Sequence, residues 1–203
     1  MLRTVFPRVA VASVLLLGIL LTGGFAAEAE QAAVAEREPD VVFVPTPRDV
    51  VAKMLEMADV KKTDVLYDLG CGDGRIVATA AKKFGCKAHG FDIDPERIQD
   101  SLQTVKEEKV EDLVKIEQRD IFTLDLSPAS VVTLYLLPEL NVKLVPQLKK
   151  LKPGSRIVSH DFRMKGYRPE KTEKMTSEDG TEHSIFLWTA PLKEGQGKKK
   201  KAE

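Results

Sequence analysis

The sequence predicts an α/β domain built on a doubly wound, mostly parallel sheet that ends in an antiparallel hairpin. Three observations carry this. From residue 39 onward short β-rich runs alternate with amphipathic helical stretches, the pattern of successive βαβ units. The run Ser130 to Leu137 is nearly all apolar through Val131, Val132, Leu134 and Leu136, as a central parallel strand covered on both faces must be. Towards the end the alternation stops, and two strand-like runs flank Ser177-Glu178-Asp179-Gly180, which reads as a hairpin turn.

In chain order, Thr46 reads as an N-cap and Pro47 as the first residue of a helix whose Val50, Val51, Met54, Leu55 and Met57 recur near helical spacing. Asp64 to Leu69 reads as a buried strand, Arg75 to Phe84 as an alanine-rich helix and Lys87 to Phe91 as the next strand. Pro95 to Lys109 is a helix with proline near its first turn, followed by the strand Val114 to Gln118. After the central strand, Pro138 opens a helix through Leu151, and Lys152-Pro153-Gly154 turns into the strand Arg156 to His160. Glu170 to Thr176 and His183 to Thr189 complete the hairpin. Cys71 and Cys86 then fall at opposite ends of neighbouring strands, beyond the about 7 Å that a disulfide spans, so two free thiols are expected. No Cys/His cluster has metal-ligand spacing, and the three scattered histidines predict no metal site.

The 203 residues carry 31 basic and 31 acidic side chains. Without the first 26 residues, which hold Arg3 and Arg8 and no acid, 29 basic against 31 acidic leave a charge of −2. That balance gives no field to draw in a polyanion and argues against a nucleic-acid partner. Arg3 and Arg8 precede an apolar run, Val9 to Leu21, and small residues follow at Gly24-Phe25-Ala26 and Ala27-Glu28-Ala29. Residues 1–29 thus read as an export signal, or as an uncleaved anchor, since Val9 to Ala27 carries no charge over a length close to the ~20 residues that span a bilayer. Either reading predicts an exported or membrane-anchored domain in the periplasm or cell envelope, with membrane association through residues 9–27. Residues 30–41 read as a linker, 42–192 as the folded domain and 193–203 as a disordered basic tail.

Open α/β sheets bind ligands beyond the carboxyl ends of their strands, where the strand order reverses. Between the first strand and the helix from Arg75 stands Asp68-Leu69-Gly70-Cys71-Gly72-Asp73-Gly74. Its glycines permit a sharp turn and a close approach to a ligand. Asp92 lies at the tip of the next strand, twenty residues after Gly72, where a carboxylate can accept two ribose hydroxyls, and Asp120 ends the third. A nicotinamide fingerprint beginning at Gly70 needs a small residue at position 75, which is Arg75.

The pattern D-x-G-x-G-x-G instead fits, and here the chain resembles the class I S-adenosylmethionine-dependent methyltransferases over about residues 42 to 191. The resemblance implies a seven-stranded Rossmann-like sheet with S-adenosylmethionine as methyl donor. It implies that Asp68 organises the loop near the donor's amino group, that Gly70, Cys71 and Gly72 pack against its methionine and ribose portions, that Asp92 with Ile93 holds the ribose, and that Asp120 with Ile121 holds the adenine. More narrowly, Phe43-Val44-Pro45-Thr46-Pro47, the stretch Val65 to Val77 and Leu134-Tyr135-Leu136-Leu137-Pro138 look like the family that includes the lysine methyltransferases of the ATP synthase c-subunit and the adenine nucleotide translocase. Its eukaryotic members also carry an N-terminal apolar segment, which implies the mitochondrial inner membrane for a eukaryotic chain.

The implied activity is methyl transfer to an acceptor, a protein lysine amine, with a protein substrate as partner. A non-catalytic S-adenosylmethionine-binding module and a small-molecule methyltransferase stay open as alternatives. The fourth-strand end lacks the Asn-Pro-Pro-Tyr of enzymes that methylate nucleobase amines. Tyr135, Glu139 and Asn141 are the polar candidates on the acceptor side, joined by His160 in Ser159-His160-Asp161. Each also has a plainer reading: Tyr135 as strand packing, Glu139 as a first-turn acid favoured by the helix dipole, and His160 as a structural residue.

Overall fold

A computed structural model describes residues 38–195; the apolar run of residues 9–27 and the lysine-rich end from residue 196 lie outside the described residues. The elements are α1 (Arg48–Met57), β1 (Val65–Leu69), α2 (Arg75–Phe84), β2 (Lys87–Asp92), α3 (Pro95–Glu107), β3 (Val114–Gln118), β4 (Val131–Leu134), α4 (Pro138–Lys143), α5 (Val145–Leu148), β5 (Arg156–His160), β6 (Lys171–Thr176) and β7 (Glu182–Thr189). The strands form one sheet in the order β3-β2-β1-β4-β5-β7-β6. The first five are parallel, and β7 pairs antiparallel with both β5 and β6. This is the seven-stranded mixed sheet that the sequence predicts.

Period-two alternation distributes side chains to the two faces. On β1, Leu66 joins α1 and α2 in a cluster with Val50, Met54, Leu55 and Val77, while Tyr67 and Leu69 join the opposite cluster with Phe91, Leu134 and Trp188. All four residues of β4 are buried, which explains its unbroken apolar sequence. At the amino ends of the strands, Arg156 donates to both oxygens of Asp64, which also accepts from the Ser130 hydroxyl at 2.7 Å, so the starts of β1, β4 and β5 are tied together. Both cysteines are buried and free.

Three local expectations are revised. The helix expected from Pro138 to Leu151 breaks at Leu144 into α4 and α5, because Pro146 has no N–H to give and its ring crowds the carbonyl four residues back. The strand expected through Leu137 ends at Leu134, since from Tyr135 the chain leaves the sheet to line a cleft. Thr46 caps nothing: Pro47 holds the N-cap position without a side-chain bond, and the Thr46 hydroxyl sits 3.1 Å from His160 Nδ1.

Candidate active site

The chain runs β1 to β3 towards one edge and then returns through β4 and β5 towards the other, so the order reverses between β1 and β4. Beyond the carboxyl ends of the strands there opens a cleft of ≈ 900 Å³ including its mouth, at the position the fold class favours for ligands.

The glycine-rich turn is fixed from three sides. The amides of Gly70 and Cys71 both donate to the Phe91 carbonyl of β2, at 2.8 and 2.9 Å. The Ser101 hydroxyl of α3 donates to Gly72 O at 2.6 Å, and Gly72 N donates to Asp92 Oδ2 at 2.9 Å. Gly72 itself has φ +55, a left-handed conformation natural to glycine.

Two carboxylates, buried Asp68 and half-buried Asp92, face the cleft with capacity to spare. Asp68 accepts from Thr133 Oγ1 at 2.6 Å through Oδ1, while its Oδ2 is buried with no partner. Burial pushes its carboxyl up to about 7 against the pull of Thr133. Asp92 takes Gly72 N on Oδ2 and Asp94 N on Oδ1, and since each carboxylate oxygen offers about two lone-pair sites, hydroxyl donors can still be accepted. Burial raises its pKa as well, although the amides of Asp94 and Gly72 oppose the shift.

Of the positions singled out in the sequence, Asp68, Gly70, Cys71, Asp92, Ile93, Ile121 and Tyr135 line the cleft. Gly72 stands behind its wall, bonded to Asp92, and Asp120 adjoins Ile121, where it accepts from Phe122 N at 2.9 Å. Glu139 is exposed in the first turn of α4 and Asn141 is buried, donating to Phe162 O at 3.3 Å. His160 is 0% exposed and outside the lining; its ring lies 4.0 Å from that of Tyr135, so it backs the cleft wall rather than facing in. Burial lowers its pKa and keeps the ring neutral.

The segment that roofs the cleft contains the Phe43 to Thr46 part of the motif noted in the sequence and begins earlier, at residues 39–41 of the expected linker. Residues 39–46 run along it, and the segment is anchored because Arg75 Nη1 donates to Thr46 O at 2.8 Å. The same guanidinium is held by Asp73 of the glycine-rich turn through Nε at 2.9 Å and Nη2 at 2.6 Å. Two prolines, Pro45 and Pro47, are the sequence signal for such an extended, unhelical segment. The triad His160, Asp161 and His183 is also assembled only in three dimensions.

Residues 68–171 match the family model described as the ANTKMT methyltransferase domain. A protein-lysine N-methyltransferase of Saccharolobus islandicus is 46% identical over 153 residues, 74% of this chain and 94% of that protein. The human lysine N-methyltransferase of the ATP synthase c-subunit is 28% identical over 67% of this chain and 58% of its own length. Among solved structures, one described as an RNA methyltransferase of Salinibacter ruber in complex with S-adenosyl-L-homocysteine superposes with a TM-score of 0.70 at 47% identity, covering 76% of this chain and 98% of that one.

The Saccharolobus match corrects the expected location. A domain exported to the periplasm or envelope, or anchored in a membrane such as the mitochondrial inner membrane, is not what the relative displays: its match to this chain takes in 94% of its length, so it consists almost wholly of the domain. No helix among the described residues is long and apolar enough to cross a membrane.

Proposed function

The chain belongs to the ANTKMT methyltransferase domain family, whose members use S-adenosylmethionine, and from that premise we propose that its acceptor is a lysine side chain of a protein substrate. The observation that carries this reading is the match to a protein-lysine N-methyltransferase along 94% of that enzyme's length. The residues of the cleft fit the donor: the partnerless Oδ2 of Asp68 suits an ammonium group, and Asp92, already oriented by two amides, suits the ribose hydroxyls. Asp120 with Ile121 takes the adenine, Gly70, Cys71 and Ile93 shape the bed between, and Gly72 supports Asp92 from behind.

When bound, S-adenosylmethionine supplies an electrophilic methyl on a sulfonium. What the protein must add is alignment of a nucleophile and exclusion of water. Tyr135 and Leu136 form the wall after β4, where the acceptor enters, and residues 39–46 cover the cleft. A lysine drawn into this site loses its proton readily, because burial and a neighbouring positive charge both disfavour the ammonium form. Tyr135 contacts the acceptor, His160 holds the Tyr135 ring from behind, and exposed Glu139 meets the substrate outside the cleft.

One observation favours a second acceptor: the Salinibacter structure at 47% identity is described as an RNA methyltransferase. The charge balance weighs against it, since an RNA-binding face demands an excess of Lys and Arg that 31 basic against 31 acidic residues do not supply. Incubation with methyl-labelled S-adenosylmethionine, a protein extract and total RNA separates the readings. Label on lysine, as one to three added methyl groups in peptide mass spectra, is expected; label confined to RNA or to a dialysable product overturns it.

A further inference from the structure

Behind Tyr135, outside the cleft, three atoms of the kind that bind metals converge. His160 Nε2 lies 2.9 Å from His183 Nδ1, which lies 3.0 Å from Asp161 Oδ2, and that oxygen is 3.2 Å from His160 Nε2. The three contacts close a triangle that hydrogen bonds fill poorly. A neutral imidazole carries one proton and a carboxylate none. If His160 gives its proton to Thr46 through Nδ1, 3.1 Å away, one proton on His183 is left for three contacts, and His160 Nε2 meets the Asp161 oxygen lone pair to lone pair. If His160 instead holds its proton on Nε2, either the two histidines point protons at each other or His183 Nδ1 meets Asp161 Oδ2, 3.0 Å away, lone pair to lone pair.

A cation at the centre of one face satisfies all three lone pairs together. The triangle's edges approach the about 3.3 Å expected between ligand atoms around tetrahedral zinc with bonds of about 2.0–2.1 Å. Two imidazoles and a carboxylate are a donor set that zinc and related divalent ions take. We propose that His160, Asp161 and His183 form a site for a divalent transition-metal ion of the zinc type, ligated through His160 Nε2, His183 Nδ1 and Asp161 Oδ2, with water at the open position beside partly exposed Asp161.

The surroundings hold the three ligands in place, as the outer shell of a metal site does. Thr46 orients His160 from its other ring nitrogen. Ser184 N donates to Asp161 Oδ1 at 2.7 Å, which turns Oδ2 towards the histidines. Asp161 keeps this pose at φ +54, a left-handed backbone that a residue with a side chain holds only when its surroundings impose it. The antiparallel pairing of β5 with β7 brings the two histidines together across 23 positions of sequence. The ion's role is structural: His160 supports the Tyr135 ring, and Thr46 belongs to the segment that roofs the cleft.

The test is equilibrium dialysis of the chelator-treated full chain against Zn²⁺ alone, with metal analysis, and Co²⁺ absorption as a second probe. One ion per chain is expected, with His183→Gln and Asp161→Asn each weakening it by about tenfold or more, Cys86→Ser leaving it unchanged, and a tetrahedral Co²⁺ spectrum free of thiolate bands. Zinc X-ray absorption on the wild-type chain keeps the test decisive should a variant misfold, and it is expected to show two imidazoles and no sulfur. Failure of the wild-type chain to take up an ion at micromolar Zn²⁺, unchanged affinity in a folded His183→Gln, or sulfur in the first coordination shell overturns the proposal, leaving a hydrogen-bonded cluster.

Discussion

The ring of Phe43 occupies the space that a side chain at Gly72 would need: a Cβ built there falls 2.1 Å from Phe43 Cε2. The roof of the cleft therefore rests directly on the turn that carries Asp92's amide partner, and the same roof residue stacks on Arg97, whose guanidinium carbon is 5.0 Å from the ring centroid. Roof and floor are built as one unit.

Gly72→Ala consequently meets two obstacles. Its φ of +55 costs a residue with a Cβ about 1–2 kcal/mol, and Phe43 must move. A lower melting temperature and S-adenosylmethionine affinity weakened by about tenfold are expected by thermal scanning and calorimetry, with Gly72→Val worse still. In the Phe43→Ala background the same glycine substitution should cost less stability, because only the backbone strain is left; equal costs in both backgrounds would show that the ring does not confine the turn.

The buried Asp68 carboxyl sets a pH dependence. Its folded pKa of about 7 lies above the ordinary 3.8, so folding favours the protonated form. Its contribution to stability is whole below about pH 4 and is lost as pH rises through 7. The melting temperature of the ligand-free protein should fall between pH 5 and 8, and Asp68→Asn should flatten that decline. Pairing with an ammonium needs the carboxylate, so binding of S-adenosylmethionine near pH 6 should release protons, measured by calorimetry in buffers of different ionisation enthalpy. Proton release undiminished in Asp68→Asn would assign it elsewhere.

Tyr135, which lines the cleft after β4, is the residue whose substitution should separate acceptor effects from donor effects. In the proposed site Asp92 would hold a part of the donor that does not change in the reaction, whereas a residue on the acceptor side acts mainly when nucleophile and methyl are aligned. Tyr135→Ala is expected to lower kcat by at least about tenfold, about 1.4 kcal/mol of transition-state stabilisation, with the donor's Kd changed by less than about threefold. A variant that loses only melting temperature would make Tyr135 packing against His160 and Phe162, its neighbours at 4.0 and 5.9 Å.

The order of strands and helices was legible because each apolar run answers to one layer: β4 is buried throughout and reads so. The glycine-rich turn and Asp92 were legible because backbone shape and local charge are written in consecutive residues. What was not legible depends on distant partners. Thr46 reads as a cap by its position before Pro47, yet its hydroxyl serves His160, 114 positions away. The helix from Pro138 carries a helical pattern across Pro146, and the proline's missing N–H and its ring decide the break. Histidines 23 positions apart offer no local spacing, and the pairing of β5 with β7 alone makes them neighbours.

The central claim, that the cleft between β1, β2 and the segment 39–46 holds S-adenosylmethionine with Asp92 on the ribose, is tested most directly by isothermal titration calorimetry of wild type and Asp92→Ala. A micromolar Kd, about −8 kcal/mol, is expected for the wild type and severely weakened binding for the variant. Equal affinity of the two proteins, with the variant folded, would contradict it.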